Sequence, residues 1–441
     1  MSRPFEHPAT TGTSMSLRRY AALVGWGLLV TTLGQIMGSG SIGYLPLRFL
    51  LKDQLHASPT DMAAFFFWAV LPWSFKPIAG LLTDGMPLLG TRRRYYLIIG
   101  SAMCSALWLM MNVIPATYRN LCLTAFVLNC VMVMASVVVG GLLVEGGQTH
   151  GATGRLSSLR LYIINGSTII GGPLSGFLAA QWFGWTALSG AILFASLVPV
   201  TILLLREPRI PGWRESGIHP LRNTWEQVRR IFKNKDIWIC GGLLFLVQVS
   251  PGLGTPLLFF QTEKLGFGPE FIGMLAMIYG AIGLLGAFLY PFFCQRFRLR
   301  TLLALAILCT IVTNLAYLGY CSHTTAMIIE GAGGLGFTLA QLPLFDLAAR
   351  GATRGSEALA YSLMIAMWNV GLAISDVIGS MLFEGFRCTV PLVNLTLQLP
   401  SLTFKDLVWV NAGTTALVLL AIPFLPGRLV DRKEGEGAVG G

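Results

Sequence analysis

The stretch Ala63–Ser101, AAFFFWAVLPWSFKPIAGLLTDGMPLLGTRRRYYLIIGS, decides the fold. Two apolar runs flank a short polar segment that holds Asp84 and the arginines Arg92, Arg93 and Arg94. Each run approaches the roughly 20 residues that cross a bilayer as a helix. Inside the first run sit one lysine, Lys76, and two prolines, Pro72 and Pro77. A charge at the middle of a membrane helix costs at least ~2.5–3.5 kcal/mol, so a lysine there needs a reason.

The rest of the chain repeats the pattern. Of 441 residues, 54% are hydrophobic and only 12% charged, and the mean hydropathy is +0.67. A soluble surface needs more charge than that. The apolar residues fall into about twelve blocks of membrane-crossing length, starting near Ala21, Met62, Tyr95, Leu121, Leu156, Trp185, Ile237, Phe271, Leu302, Thr325, Ala358 and Leu407. The expected architecture is an all-α integral membrane protein of about twelve transmembrane helices in two six-helix halves. Residues 1–205 form the first half, 206–236 the connector, and 237–441 the second half with a short tail.

Basic residues set the orientation. Arg92–Arg94, the segment Arg206–Lys235, Arg296, Arg298, Arg300, Arg350, Arg354 and the tail with Arg428, Arg432 and Lys433 all fall on one side. The other side holds Arg48, Lys52, Arg119, Lys264, Arg387 and Lys405. Positive charge favours the inside, so both termini are expected in the cytoplasm, in a cell (inner) membrane. The net charge of +11 would suit a nucleic-acid partner in a soluble chain, but here it follows membrane topology, and no nucleic-acid partner is expected. Within the connector, Leu221, Trp225, Val228 and Phe232 alternate at helical spacing with Arg222, Arg229 and Arg230. That suits an amphipathic helix on the inner membrane surface or a solvated linker.

The halves echo each other. GATGRLSSLRLYIING begins at Gly151 and GATRGSEALAYSLMIAMWNV at Gly351, which makes Asn165 and Asn369 counterparts. Such duplication is characteristic of secondary transporters. No GxxxxGK[ST] fingerprint for direct ATP drive occurs, and neither a nucleophile–base set nor His/Cys spacing for a metal is visible. No enzyme activity, cofactor or metal is expected. The eight cysteines are scattered, mostly within apolar blocks.

The string LPWSFKPIAGLLTDGMPLLGTRRRYY resembles the folate–biopterin transporter family of the major facilitator superfamily. Gly80, Asp84, Gly90 and Arg92–Arg94 occupy the places of the superfamily's cytoplasmic loop signature. GATGRLSSLR and LAARGATRGSEALAYSL are similar to that family's entries to spans five and eleven. The resemblance implies a symporter in the lipid bilayer that moves a small-molecule substrate, a folate or pterin-type solute, together with a proton by alternating access. It also implies gating roles for Asp84, Arg92, Arg93 and Arg94. Two alternatives stay open: a facilitator for another solute or drug, and a non-transporting membrane assembly scaffold.

The residues carry physical readings of their own. Lys76 either faces the bundle interior, meeting a carboxylate or an anionic substrate, or snorkels to the interface. Pro72 and Pro77 loosen the helix beside it, as a gate needs. Gln35, Asn165, Gln248 and Asn369 sit inside spans and point inward, to bind substrate or to hydrogen-bond neighbouring helices. Arg160 faces Glu145 or an anionic substrate. Asp376, an intramembrane carboxylate, is the proton-coupling candidate. Glu145, Glu330 and Asp346 read as solvated acids near span ends. Trp368 is placed near the cavity. The glycines Gly34, Gly38, Gly172, Gly176, Gly331, Gly333, Gly334 and Gly336 read as close-packing positions.

Overall fold

The computed structural model describes residues 15–85, 88–91, 93–151, 153–207, 229, 232–294, 296–351, 357–390 and 395–431. The first half contains α1 (Leu17–Leu33), α2 (Tyr44–Phe49), α3 (Pro59–Val70), α4 (Lys76–Gly85), α5 (Arg94–Val113), α6 (Tyr118–Thr149), α7 (Thr153–Ala179) and α8 (Phe183–Leu204). The second contains α9 (Lys235–Gln248), α10 (Gly254–Phe259), α11 (Pro269–Cys294), α12 (Leu299–Ala316), α13 (His323–Gly351), α14 (Glu357–Glu384), α15 (Phe404–Val418) and the short α16 (Gly427–Val430). Each expected span begins one to four residues earlier than its apolar block. The capping residues explain part of this: Ser58 and Asp61 form a reciprocal box at the start of α3, and Thr403 and Asp406 another at α15. A hydropathy count cannot see these polar first turns.

Nine helices among the described residues are long and apolar enough to cross a bilayer. Spans one, five and seven are supplied by α1 with α2, by the 27-residue α7, and by α9 with α10. Large apolar side chains stay exposed on the outside of the bundle, including Val113, Ile192, Leu203, Phe292, Val312 and Phe424. Lipid imposes no penalty on them, and the backbone is satisfied within each helix.

Two features depart from a simple count of spans. The first and seventh spans are broken. After α1 the chain opens at 34–43, closes into α2, and continues as a π-helical turn, Leu50–Gln54. After α9 it opens at 249–253, closes into α10, and continues as a second π-helical turn, Phe260–Lys264. Pro46, Phe49, Leu55 and Pro59 recur 210 residues later as Pro256, Phe259, Leu265 and Pro269. The second departure is an antiparallel hairpin between spans eleven and twelve, β1 (Phe386–Val390) with β2 (Leu395–Leu399), in register from Phe386↔Leu399 to Val390↔Leu395.

The halves join through α7 on α11 and through α14 on α3 and the 3-10 turn Leu71–Phe75 that follows it. Glycines make the first crossing possible: a Cβ on Gly172 would stand 2.8 Å from the Gly273 carbonyl oxygen, and one on Gly176 2.6 Å from that of Pro269. One buried apolar cluster runs through the first half and crosses, at the end bearing the hairpin, to Leu258, Phe259, Phe267, Leu275 and Tyr320. A second lies wholly within the other half, around Cys240, Leu344 and Trp368. The molecule is therefore sealed between halves at the hairpin end.

Candidate functional site

The two prolines shape the second span. Helix α3 stops at Val70, a 3-10 turn carries Pro72, and α4 restarts at Lys76 with Pro77 as its second residue. A proline supplies no backbone donor, so the regular ladder gives way there. The restart sets Lys76 half-buried against α6: its Nζ donates to Ser136 Oγ at 3.2 Å and lies 5.2 Å from the Trp73 ring centre. The Trp73 indole N–H in turn donates to Asn129 Oδ1 at 2.7 Å.

Arg160, exposed on α7, is within electrostatic range of Lys76 and of Tyr361 on α14. Neither cation pairs with a carboxylate among the described residues. Glu145, one suggested partner for Arg160, is bound by Arg93 instead. Two like charges held near each other without a fixed counter-ion make an anion-accepting region.

The four amides take different places. Gln35 lies in the break after α1, where its side-chain N–H donates to the Thr31 carbonyl at 2.7 Å and its own carbonyl accepts from Gly43 N–H. Gln248 ends α9 and borders Gly371 of α14. Asn165 on α7 and Asn369 on α14 are half-buried. Trp368 does not line a cavity: it is 5% exposed, among the apolar residues of the second half, with Phe345 and Phe337 ring centres at 5.7 and 6.5 Å. Its aromatic neighbours come from α13, which the sequence around position 368 does not reveal.

Asp376 is held by the broken seventh span. Its Oδ1 accepts from Thr255 N–H at 2.7 Å and its Oδ2 from the Thr255 hydroxyl at 2.6 Å. Beside it, Gly252 N–H donates to the Ser375 carbonyl at 2.7 Å. A Cβ on Gly379 would stand 1.9 Å from the Gly252 carbonyl oxygen, so the loop and α14 touch backbone to backbone. Arg48 reaches the same threonine from the other half, with Nη1 3.4 Å from Thr255 Oγ1. Arg48 is not a loop charge: it is 4% exposed, between the rings of Tyr44 and Phe66 at 4.6 and 4.8 Å.

Charged contacts distinguish the two ends of the molecule. At the hairpin end they cross between halves: Lys52 Nζ is 3.5 Å from Glu263, joining the two π-helical turns, and Thr60 N–H donates to Glu384 at 3.1 Å. At the opposite end the described pairs stay within a half. Arg93 binds Glu145, and the backbone N–H groups of Arg93 and Arg94 donate to Glu207 at 3.0 Å each. Arg350 binds Asp346 at 2.9 Å, Arg300 binds Asp431 at 3.2 Å, and Arg428 binds Asp236 at 2.5 Å. Arg92 and the side chain of Asp84 lie outside the described residues, as does nearly all of the proposed amphipathic connector, 208–228, 230 and 231.

Glu330 is the clearest correction among the acids. It is 8% exposed rather than solvated. Tyr320 and Tyr317 donate to it at 3.3 and 3.4 Å, and Gln261 Nε2 donates to the Tyr320 hydroxyl at 2.6 Å. Position along α13 suggested an interfacial acid, but aromatic residues from beyond α12 enclose it.

Residues 37–439 match the BT1 family. The folate-biopterin transporter of Synechocystis sp. is 26% identical over 408 residues, covering 85% of this chain and 80% of that protein. Folate transporter 2 of Plasmodium falciparum is 24% identical over 360 residues, covering 78% of this chain and 77% of that protein. Among solved structures, the nucleoside transporter NupG superposes with a TM-score of 0.66 at 15% identity, covering 92% of this chain and 98% of its own. A D-xylose-proton symporter superposes with a TM-score of 0.65 at 15% identity, covering 93% and 98%. Those two similarities establish a shared major facilitator fold. Built on that fold, with its family match spanning nearly its whole length, the chain belongs to the BT1 family and is a multi-pass membrane transporter, not an enzyme.

Proposed function

We propose that this protein is a secondary transporter that moves a folate or pterin-type anion by alternating access, coupled to protons. The observation that carries the reading is Lys76 and Arg160, two neighbouring cations with no carboxylate partner among the described residues. A folate brings carboxylates for such cations and a flat donor–acceptor edge for amides. Gln35, Asn165, Gln248 and Asn369 are the amides proposed for that edge. Trp73, beside Lys76, offers a ring face to a planar solute.

The division into residues 1–205, 206–236 and 237–441 supplies the moving parts. The halves rock about the two helix crossings. We take the hairpin end as the outside, from the distribution of basic residues, with both termini in the cytoplasm and the cell membrane as location. In the described state the outside is shut by Lys52–Glu263 and Arg48–Thr255–Asp376. The cluster of Asp84 and Arg92–Arg94 gates the other side. Pairs such as Lys52–Glu263, with Glu263 55% exposed, are worth ~0–1 kcal/mol, weak enough to open in each cycle. Asp376 is the proposed coupling residue at the outer gate.

The test is uptake of labelled folate and biopterin by liposomes holding the purified protein. Accumulation above empty liposomes, competed by unlabelled pterin, is expected. No exchange of either solute by correctly inserted protein contradicts the substrate assignment.

A further inference from the structure

The buried Glu330 cluster belongs to neither the anion-accepting region nor the ion pairs. It gathers side chains from four separate stretches: Glu330 on α13, Tyr317 and Tyr320 after α12, Tyr279 on α11, and Gln261 in the π-helical turn after α10. A carboxylate nine-tenths buried is costly unless an opposite charge or strong donors hold it. No cation approaches Glu330 among the described residues; only two phenol hydroxyls do, at 3.3 and 3.4 Å.

We propose that Glu330 is a proton-binding site of this transporter, alternately open to the outside and sealed as the hairpin end closes.

The hydrogen-bond chemistry suits a group that changes protonation. Gln261 Nε2 can only donate, so the Tyr320 oxygen accepts from it and the phenol hydrogen is left to point at Glu330. With Glu330 ionised, Tyr320 and Tyr317 both donate to it. With a proton bound, the carboxyl O–H donates to the Tyr317 oxygen, which can accept as readily as it donates, while Tyr320 donates to the other oxygen. The carboxyl is therefore hydrogen-bonded in both states, with the Tyr317 hydrogen turning away in the protonated one, and the step is only R–COO⁻ + H⁺ → R–COOH.

Other ionisable groups around α13 do not compete for the same place. From α11 comes Tyr279, which is in electrostatic range of Glu330 and of Tyr44 across the halves. From α13 itself, His323 packs its ring on Phe267 and Phe271 at 4.5 Å each. From α9 comes Asp236, held by Arg428. From α12 comes Arg300, held by Asp431 beyond α16, and α14 contributes Asp376. The link to the gate is covalent and short. Gln261 and Glu263 share one π-helical turn, and Glu263 pairs with Lys52 of the other half. Opening the halves there pulls on the turn that holds Tyr320 over Glu330.

The inference deepens the proton-coupled reading and rests on it for its role in the cycle, but proton binding is measurable without substrate. Purified full-length protein is titrated across neutral pH while the infrared carboxyl stretch is followed. A protonated-carboxyl band that appears as pH falls is expected in the wild type and in Glu270→Gln, and its loss in Glu330→Gln. Tyr317→Phe, which keeps the ring and removes one hydroxyl, should shift the midpoint of that band. A band unchanged in Glu330→Gln overturns the proposal. The role is read separately, in liposomes with an imposed pH gradient and labelled folate. Each variant's uptake is measured against its own gradient-free exchange, with Glu270→Gln, an exposed carboxyl at the start of α11, as control. Glu330→Gln should fall to the gradient-free level while Glu270→Gln keeps the wild-type response. A full gradient response in Glu330→Gln overturns the role. A wild type that exchanges folate yet ignores the gradient overturns the proton-coupled reading itself, whatever the infrared band shows.

Discussion

Lys76 shows how a single residue out of place for its surroundings can point to function. Its charge lies on a helix restart made by two prolines, beside a hydroxyl and an indole and within reach of a second cation. Lys76→Ala is expected to abolish or severely reduce folate uptake while the protein still reaches the membrane, as read by surface labelling beside uptake. Normal uptake would assign the lysine to the interface instead. Asp84→Asn is expected to slow the cycle and leave equilibrium folate affinity close to normal, because the residue is proposed to act at a gate. A binding titration that collapses in Asp84→Asn would move it into the site. The residues missed by sequence reasoning, Arg48 and Glu330, share a cause. Both were judged from position along one span, whereas their burial is made by other spans: Phe66 and Thr255 around Arg48, Tyr317 and Tyr320 around Glu330.

At the scale of elements, apolar run length pointed to the nine helices among the described residues that are long and apolar enough to cross a bilayer, because a bilayer demands length and internally satisfied backbone. It did not locate the breaks in spans one and seven, since a run containing Gly38, Gly40, Pro251 and Gly252 still counts as mostly apolar. The repeat of Pro46, Phe49, Leu55 and Pro59 at Pro256, Phe259, Leu265 and Pro269 was a usable signal for those paired breaks. The hairpin was hidden in a loop judged by its charges alone. Glycine packing was legible as a tendency, but the structure shows where it matters. A Cβ on Gly334 would fall 2.0 Å from the Tyr279 carbonyl oxygen, whereas one on Gly242 meets nothing within 4 Å. Gly334→Ala should therefore destabilise by about 1–3 kcal/mol, as overpacking does. Gly242→Ala should be neutral or stabilising by up to about 1 kcal/mol, from helix propensity. Thermal unfolding in detergent compares them, and equal midpoints would contradict the close crossing of α11 and α13.

For the whole molecule, the ion pairs fit the outside-shut state of the proposed cycle. Charged contacts between halves gather at the hairpin end, while none of the described ion pairs at the other end joins one half to the other. Weakening the crossing pair should favour the opposite state. Glu263→Gln is expected to expose the hairpin end to a membrane-impermeant thiol reagent at a cysteine placed at Lys52, raising its labelling rate over the same cysteine with Glu263 intact. An unchanged rate would mean that this contact does not help hold the end shut. The most direct measurement of alternating access uses spin-label distances. One pair of labels, at Gln54 and Lys264, reports the hairpin end, and another, at Thr149 and Arg298, reports the opposite end; all four positions are exposed. Folate and a change of pH are expected to shift the two distance distributions in opposite senses, one shortening as the other lengthens. Distances that change together at both ends, or that stay fixed while the labelled protein still transports folate, would contradict alternating access.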